Sequence, residues 1–362
     1  MTDSPGPEGA YGATLSRIKG QGGEKSKLGM AALMWISHAE RPLRVDELRH
    51  ALGVEIGSAD LDGSNVPSIG TVLACCQGLI SVDKEASTVR LIHFTLQEYL
   101  QAYPELFDRA HSTIAETCLS YLNSYQVKAL SGDSSGDIWS RPTLEDSSSS
   151  YWECSPPYSD TPFLEYSSRY WGTHAKRELS DYAKQLALKL FDDYSSHISI
   201  RVLLDSKKTR FFCPSDSESF LFSSLHCASS FGIVEIVADL LEVGSCYINQ
   251  TDSAGNTSLA WAALSGNEGV VTTLLGWEDV NPDQPGDDGR TPLSWAAFGG
   301  HERVVKTLLG RDDVNPDRPD NEGKTPFCWA ALRGHEEVVK TLLGRDDVNP
   351  NQPDNHNLTP LC

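Results

Sequence analysis

The chain has 362 residues, room for two or three domains, and 39% of them are hydrophobic. Its formal net charge of −20 works against binding to phosphate backbones and to anionic membrane surfaces. No run of about 18 apolar residues occurs, residues 1–9 lack the regions of a signal peptide, and the nine scattered cysteines form no C-x-x-C pair. The expectation is a cytoplasmic protein with a protein partner, no nucleic acid, no membrane, no cofactor, no metal and no small-molecule substrate.

In chain order, the first strongly patterned segment is 28–39, apolar at helical spacing. After Arg41-Pro42-Leu43, residues 45–52 (VDELRHAL) read as a second helix. A Gly/Asp/Ser loop over 53–65 leads to a third helix, started by Pro67 and ending at Cys76. Two strand-like runs, 78–82 and 88–92, flank the turn-rich 83–87, and a helix follows over 95–103. Three helices, a hairpin and a closing helix give 28–104 a winged-helix order. In such a fold the third helix would read DNA, but 67–78 contains no Lys or Arg to meet phosphates and bases.

Four stretches carry a family likeness. They are Tyr11, Ala13, Thr14, Leu15 and Ile18; ALMWISHA ending at Ala39; RPLRVDEL from Arg41; and VRLIHFTLQEYL from Val89. Together they resemble the winged-helix domain that follows the NACHT ATPase in fungal NOD-like receptors, a module also labelled the GPI inositol-deacylase winged helix domain. That label concerns the module and implies no lipase chemistry. The resemblance implies that 1–27 are the end of a NACHT-like linker. It also places His93 where those receptors contact the diphosphate of ADP, a role that needs an ATPase domain to be supplied. Without one, His93 is expected to be a packed or partly exposed histidine.

Residues 105–205 read as a helical bridge. A helix over 109–130 is followed by a Ser-, Gly- and Pro-rich insertion over 131–161, expected to be disordered. Amphipathic helices follow around 162–174 and 183–191, and 206–219 reads as a short linker. Phe163-Leu164-Glu165-Tyr166, then Tyr170-Trp171-Gly172 and His174, resemble the segment between the winged helix and the repeats of the same receptors. Two catalytic look-alikes fail on context. The run from Gly20 to Ser26 hints at a P-loop, but Lys19 and Glu24 stand where glycines are required and no strand precedes it. Gly132-Asp133-Ser134-Ser135-Gly136 matches a G-x-S-x-G elbow without the buried strand an elbow needs.

Residues 220–362 repeat. Thr257, Thr291, Thr325 and Thr359 open similar units 34 residues apart, with a weaker copy at 223–226. A fixed period of this length marks a stacked array. The third unit is the clearest: Thr291-Pro292-Leu293, Ala296-Ala297, Gly300-His301, Val304-Val305, Leu308-Leu309, then Asp313-Val314-Asn315. Thr caps a helix, Pro fits its first turn, and Gly300 ends it in a left-handed conformation. The pattern resembles an ankyrin repeat at nearly every diagnostic position. It departs in length, 34 residues rather than 33, and the change falls in proline-stiffened finger loops. The resemblance implies a partner surface on the fingers and the first-helix face. By position that surface is Asn256, Leu264 and Ser265; Arg290, Phe298 and Gly299; Lys324, Leu332 and Arg333, which vary between copies. Trp261, Trp295 and Trp329 form a column that reads as repeat-on-repeat packing or, alternatively, as an aromatic contact strip. The family's histidine after Thr-Pro-Leu survives only as His226.

The fold expected is mainly α: a winged-helix domain, a helical bridge, then an ankyrin-repeat α-solenoid of about four units and a truncated fifth. The function expected is non-catalytic protein recognition, as the recognition part of a fungal NOD-like receptor lacking its ATPase motor, of a self/non-self or immune type. The alternatives are a stand-alone ankyrin adaptor and, remotely, a serine hydrolase using Ser134. The array stops three residues into a unit, so an exposed apolar face is expected on the fourth.

Overall fold

A computed structural model describes residues 7–130, 161–192, 194–206, 221–244 and 247–360. The Ser-rich insertion with Ser134 and nearly all of the 206–219 linker lie outside them. The described residues fall into two compact units, one drawn from Met1–Leu190 with His197–Leu203 and the other from Phe191–Ser196 with Leu204–Cys362. Helices dominate both, and no described helix is long and apolar enough to cross a membrane.

The first unit opens with α1 (Pro7–Gly20) and α2 (Gly23–His38). Gly22 and Gly23 take positive φ in the turn between them, so the P-loop look-alike is a helix–helix corner. Then come β1 (Leu43–Arg44), α3 (Val45–Gly53), α4 (Ile69–Cys75), β2 (Ile80–Asp83), β3 (Thr88–Leu91) and α5 (Phe94–Ala102). The strands form an antiparallel sheet in the order β1-β3-β2, with Val89 opposite both Leu43 and Val82. This is a winged helix. Helix α4 starts two residues later than Pro67 suggested, because the Ser68 hydroxyl accepts the Thr71 N–H and caps it. Helices α2 and α4 touch at Gly29, where a Cβ would sit 2.8 Å from the Cys75 carbonyl oxygen.

The segment expected as one helix over 109–130 is two: α6 (Ala110–Leu122) and α7 (Tyr125–Ala129), separated where Ser124 caps the second. Past the undescribed stretch come α8 (Leu164–Arg177), α9 (Asp181–Phe191) and α10 (Ile198–Ser206). Helix α8 packs along α6, and Phe163 and Tyr166 meet Trp35 of α2 edge-on, with ring centroids 5.5 and 6.0 Å apart. The winged helix and the α6/α8 pair therefore share one aromatic core. A buried carboxylate, Glu47, ties in the approach to α3. Burial alone would raise its pKa, but two hydrogen bonds from Arg41, at 2.8 and 2.6 Å, and one from the Arg44 N–H hold it below the ordinary value.

The second unit stacks four helix pairs: α11 (Ser224–Phe231) with α12 (Val234–Glu242), α13 (Ser258–Leu264) with α14 (Glu268–Leu275), α15 (Pro292–Gly299) with α16 (Glu302–Leu309), and α17 (Pro326–Arg333) with α18 (Glu336–Leu343). First helices pack on first helices, and second on second. Ser223, Thr257, Thr291 and Thr325 each cap a first helix through the side-chain oxygen. Leu259, Leu293 and Phe327 repeat in the core, as do Val270, Val304 and Val338.

Candidate protein-binding surface

The loops that join the units are built around an aspartate. Asp252 Oδ1 accepts the N–H groups of Ala254 and Asn256, and Asp320 Oδ1 those of Glu322 and Lys324, all at 2.9 Å. Their second oxygens accept the indole N–H groups of Trp261 (2.8 Å) and Trp329 (2.9 Å). Neighbouring loops are laced together: Asn321 donates through its backbone to Asp288 and through its side chain to the Asp287 carbonyl. Asn355 does the same to Glu322 and Asn321. The imidazoles of His301 and His335 donate from Nε2 to the carbonyls of Leu264 and Phe298 in the preceding units, each at 2.9 Å.

The third unit breaks this pattern, because Gly286 stands where the others have Asp252, Asp320 and Asp354. Trp295 donates instead to Asn256 Oδ1 at 3.1 Å, and a Cβ on Gly286 would lie 2.8 Å from that same oxygen. The missing side chain is what lets Asn256 reach across. Gly286→Asp is therefore expected to destabilise the array by about 1–3 kcal/mol through overpacking. Adding Asn256→Ser should recover most of the loss; additive losses in urea titrations would show that the two positions do not share the space.

Arg290 fills the rest of this region. Its side chain is 2% exposed, with Nε 3.6 Å from Asp320 Oδ2 and 3.5 Å from Asp288 Oδ2. The guanidinium lies 4.7 Å from the Trp295 ring, 5.7 Å from Phe298 and 4.0 Å from Trp329. Burial pulls its pKa down, while Asp288 and Asp320 pull it back up.

These contacts distribute the expected surface residues. Asn256, Arg290 and Phe298 are buried; Leu264, Ser265, Gly299 and Lys324 are half-buried; Leu332 and Arg333 are exposed. Trp261, Trp295 and Trp329 are all buried, so the column packs repeat on repeat. Arg333 lies with its guanidinium 4.1 Å over the Phe298 ring, and the Lys324 ammonium lies 4.8 Å from Trp329. In the fourth unit, Leu332, Leu343 and Leu358 are 60%, 52% and 56% exposed. At the loop tips, Asp287, Asn321 and Glu322 are exposed. Sequence reasoning passed over these tips, although they also vary between copies (Ser253, Asp287, Asn321, Asn355). In the winged helix, His93 is exposed; it caps α5 by accepting the Thr95 N–H and lies against Phe94.

Comparison with known families agrees with this geometry. Residues 269–354 match the family described as ankyrin repeats, in three copies, and residues 17–118 match the one described as GPI inositol-deacylase, winged helix domain. No curated protein matches the chain. The chain thus carries a winged-helix domain of that type followed by ankyrin repeats, and the repeats make it a protein–protein interaction module.

Proposed function

We propose that the protein recognises a partner protein along the loop tips and first-helix edge of the array, and performs no chemistry of its own. In this reading it is the recognition part of a fungal NOD-like receptor, working in the cytoplasm with an ATPase motor supplied from beyond these residues. The observation that carries it is the combination of the winged-helix type with an array that exposes Asp287, Asn321, Glu322, Leu332 and Arg333 at positions where the units are not all alike. Residues alike in every unit hold the stack together, while residues that differ and face solvent are free to choose a partner. The acidic tips favour a partner with a basic face. Cys75, Cys76, Cys118, Cys227 and Cys328, the cysteines placed among the described residues, are buried and form no disulfide, which suits a reducing compartment.

The test is capture of the partner by the whole chain and by Leu332→Asp/Arg333→Glu, with circular dichroism to establish that the variant folds. Loss of a central contact of this kind costs about 2 kcal/mol or more, so binding should weaken at least about thirtyfold. Unchanged binding by this variant, and by Asp287→Lys/Glu322→Lys, would move the surface elsewhere. Hydrolysis of an ester substrate that disappears with Ser134→Ala would overturn the non-catalytic half of the reading.

A further inference from the structure

Three histidines from separate helices meet inside the first unit. His111 Nδ1 of α6 lies 2.8 Å from His174 Nδ1 of α8, and His174 Nε2 lies 2.9 Å from the Tyr166 hydroxyl. Tyr166 also accepts the backbone N–H of Glu40, just past α2, at 3.1 Å. His38, in the last turn of α2, packs its ring edge-on against His111 with centroids 5.5 Å apart, and holds the Met34 carbonyl through Nδ1. His174 is fully buried.

These bonds admit one fully satisfied arrangement of hydrogens. The Glu40 N–H donates to Tyr166, the Tyr166 hydroxyl donates to His174 Nε2, and the His174 Nδ1–H donates to His111 Nδ1. Every link requires neutral rings. A proton added to either His111 or His174 turns His174 Nε2 into a donor, and the buried Tyr166 hydroxyl hydrogen loses its acceptor. The surrounding charges are mixed. From α8, Arg177 faces the cluster and Glu178 follows it, with Glu178 Oε2 accepting the Ser112 N–H of α6 at 3.1 Å. Past α2, Glu40 pairs with Arg177, and the Arg41 guanidinium lies 5.5 Å from the Tyr166 ring. The Cys118 thiol of α6 and the Tyr170 phenol of α8, its ring centroid 4.9 Å away, also face Tyr166.

We propose that the His38–His111–His174 cluster is a proton-sensitive latch: it holds the end of α2 to the α6/α8 pair near neutral pH and loosens its hold in mild acid. The sign follows from burial. Burial pushes His174 down to about 3, with His111, Arg177 and His38 adding to the effect. His38 and His111 are also lowered, each chiefly by burial. Once released, each returns to an ordinary value of about 6.5. The open form therefore binds more protons, so the latch is at full strength above pH ~6.5 and weakens as pH falls toward 3. At pH 5.5 the contribution of His174 alone should favour opening about tenfold.

Hydrogen exchange on the whole chain at pH 7.5 and 5.5, corrected for intrinsic rates, reads this directly. Protection across Leu164–Arg177 should fall about tenfold or more in the wild type. The fall should be largely absent in His111→Asn/His174→Gln, whose amides bond without titrating. Buried His197, held by the Leu122 carbonyl, will add an acid response common to both proteins. Equal falls in wild type and variant, or none in the wild type, would overturn the latch. Histidine NMR of the wild type supplies a check independent of the variant's folding. His174 should be neutral and carry its hydrogen on Nδ1 at pH 7.5; a cationic His174, or one with its hydrogen on Nε2, sinks the proposal.

Discussion

Asp320→Ala is expected to destabilise the repeat array by about 3–5 kcal/mol, the range for breaking a buried ion pair by deleting one partner. Four groups depend on this carboxylate. One oxygen gathers the loop N–H groups of Glu322 and Lys324, and the other accepts the Trp329 indole N–H and faces Arg290. Asp252 has the same loop and tryptophan roles, but Asn256 stands in its unit where the third has Arg290. Asp252→Ala therefore measures the loop and indole contributions without the buried cation and should cost clearly less. Arg290→Met added to Asp320→Ala should return part of the loss, because it removes the guanidinium left without that carboxylate. Urea titrations followed by tryptophan fluorescence compare all of these. Equal losses at Asp252 and Asp320, with no return from Arg290→Met, would mean the ion pair adds nothing.

The local elements were the legible ones. Thr257, Thr291 and Thr325 announce their helices because a cap is decided within three residues, and a strict period shows where each helix stacks. The ladder partner Leu43–Arg44 was illegible, since two residues carry no periodicity. Arg290 and Asn256 illustrate a different limit. Variation between copies reads as a free surface, yet here it is a private repacking between adjacent units, set by one aspartate position that became Gly286. A polar side chain beside a glycine replacing a repeated aspartate was the available signal. The contact of His111 with His174 spans 63 residues and follows no spacing rule, so only the fold reveals it.

Trp295→Ala should be of similar size, about 3–5 kcal/mol, as for other buried aromatics cut to alanine. Its position makes the loss more than local. The indole N–H reaches Asn256 of the second unit, the ring faces Arg290, and its edge meets Phe298, which in turn meets Trp329 of the fourth unit edge-on at 5.5 Å. Ala260, Trp295, Phe298 and Trp329 form one buried cluster drawn from three units. In a stack held by nearest-neighbour contacts, emptying that cluster uncouples the fourth unit from those before it. Unfolding should then split, with amides of Pro326–Arg333 and Glu336–Leu343 losing protection at lower urea than those of Ser224–Phe231. A single transition shifted as a whole would mean the array unfolds as one block. Arg333 is seated on Phe298, so this exposed part of the candidate surface rests on the same cluster. Trp295→Ala should accordingly weaken partner binding although Trp295 is only 1% exposed; full affinity in a folded variant would show that Arg333 is positioned without it.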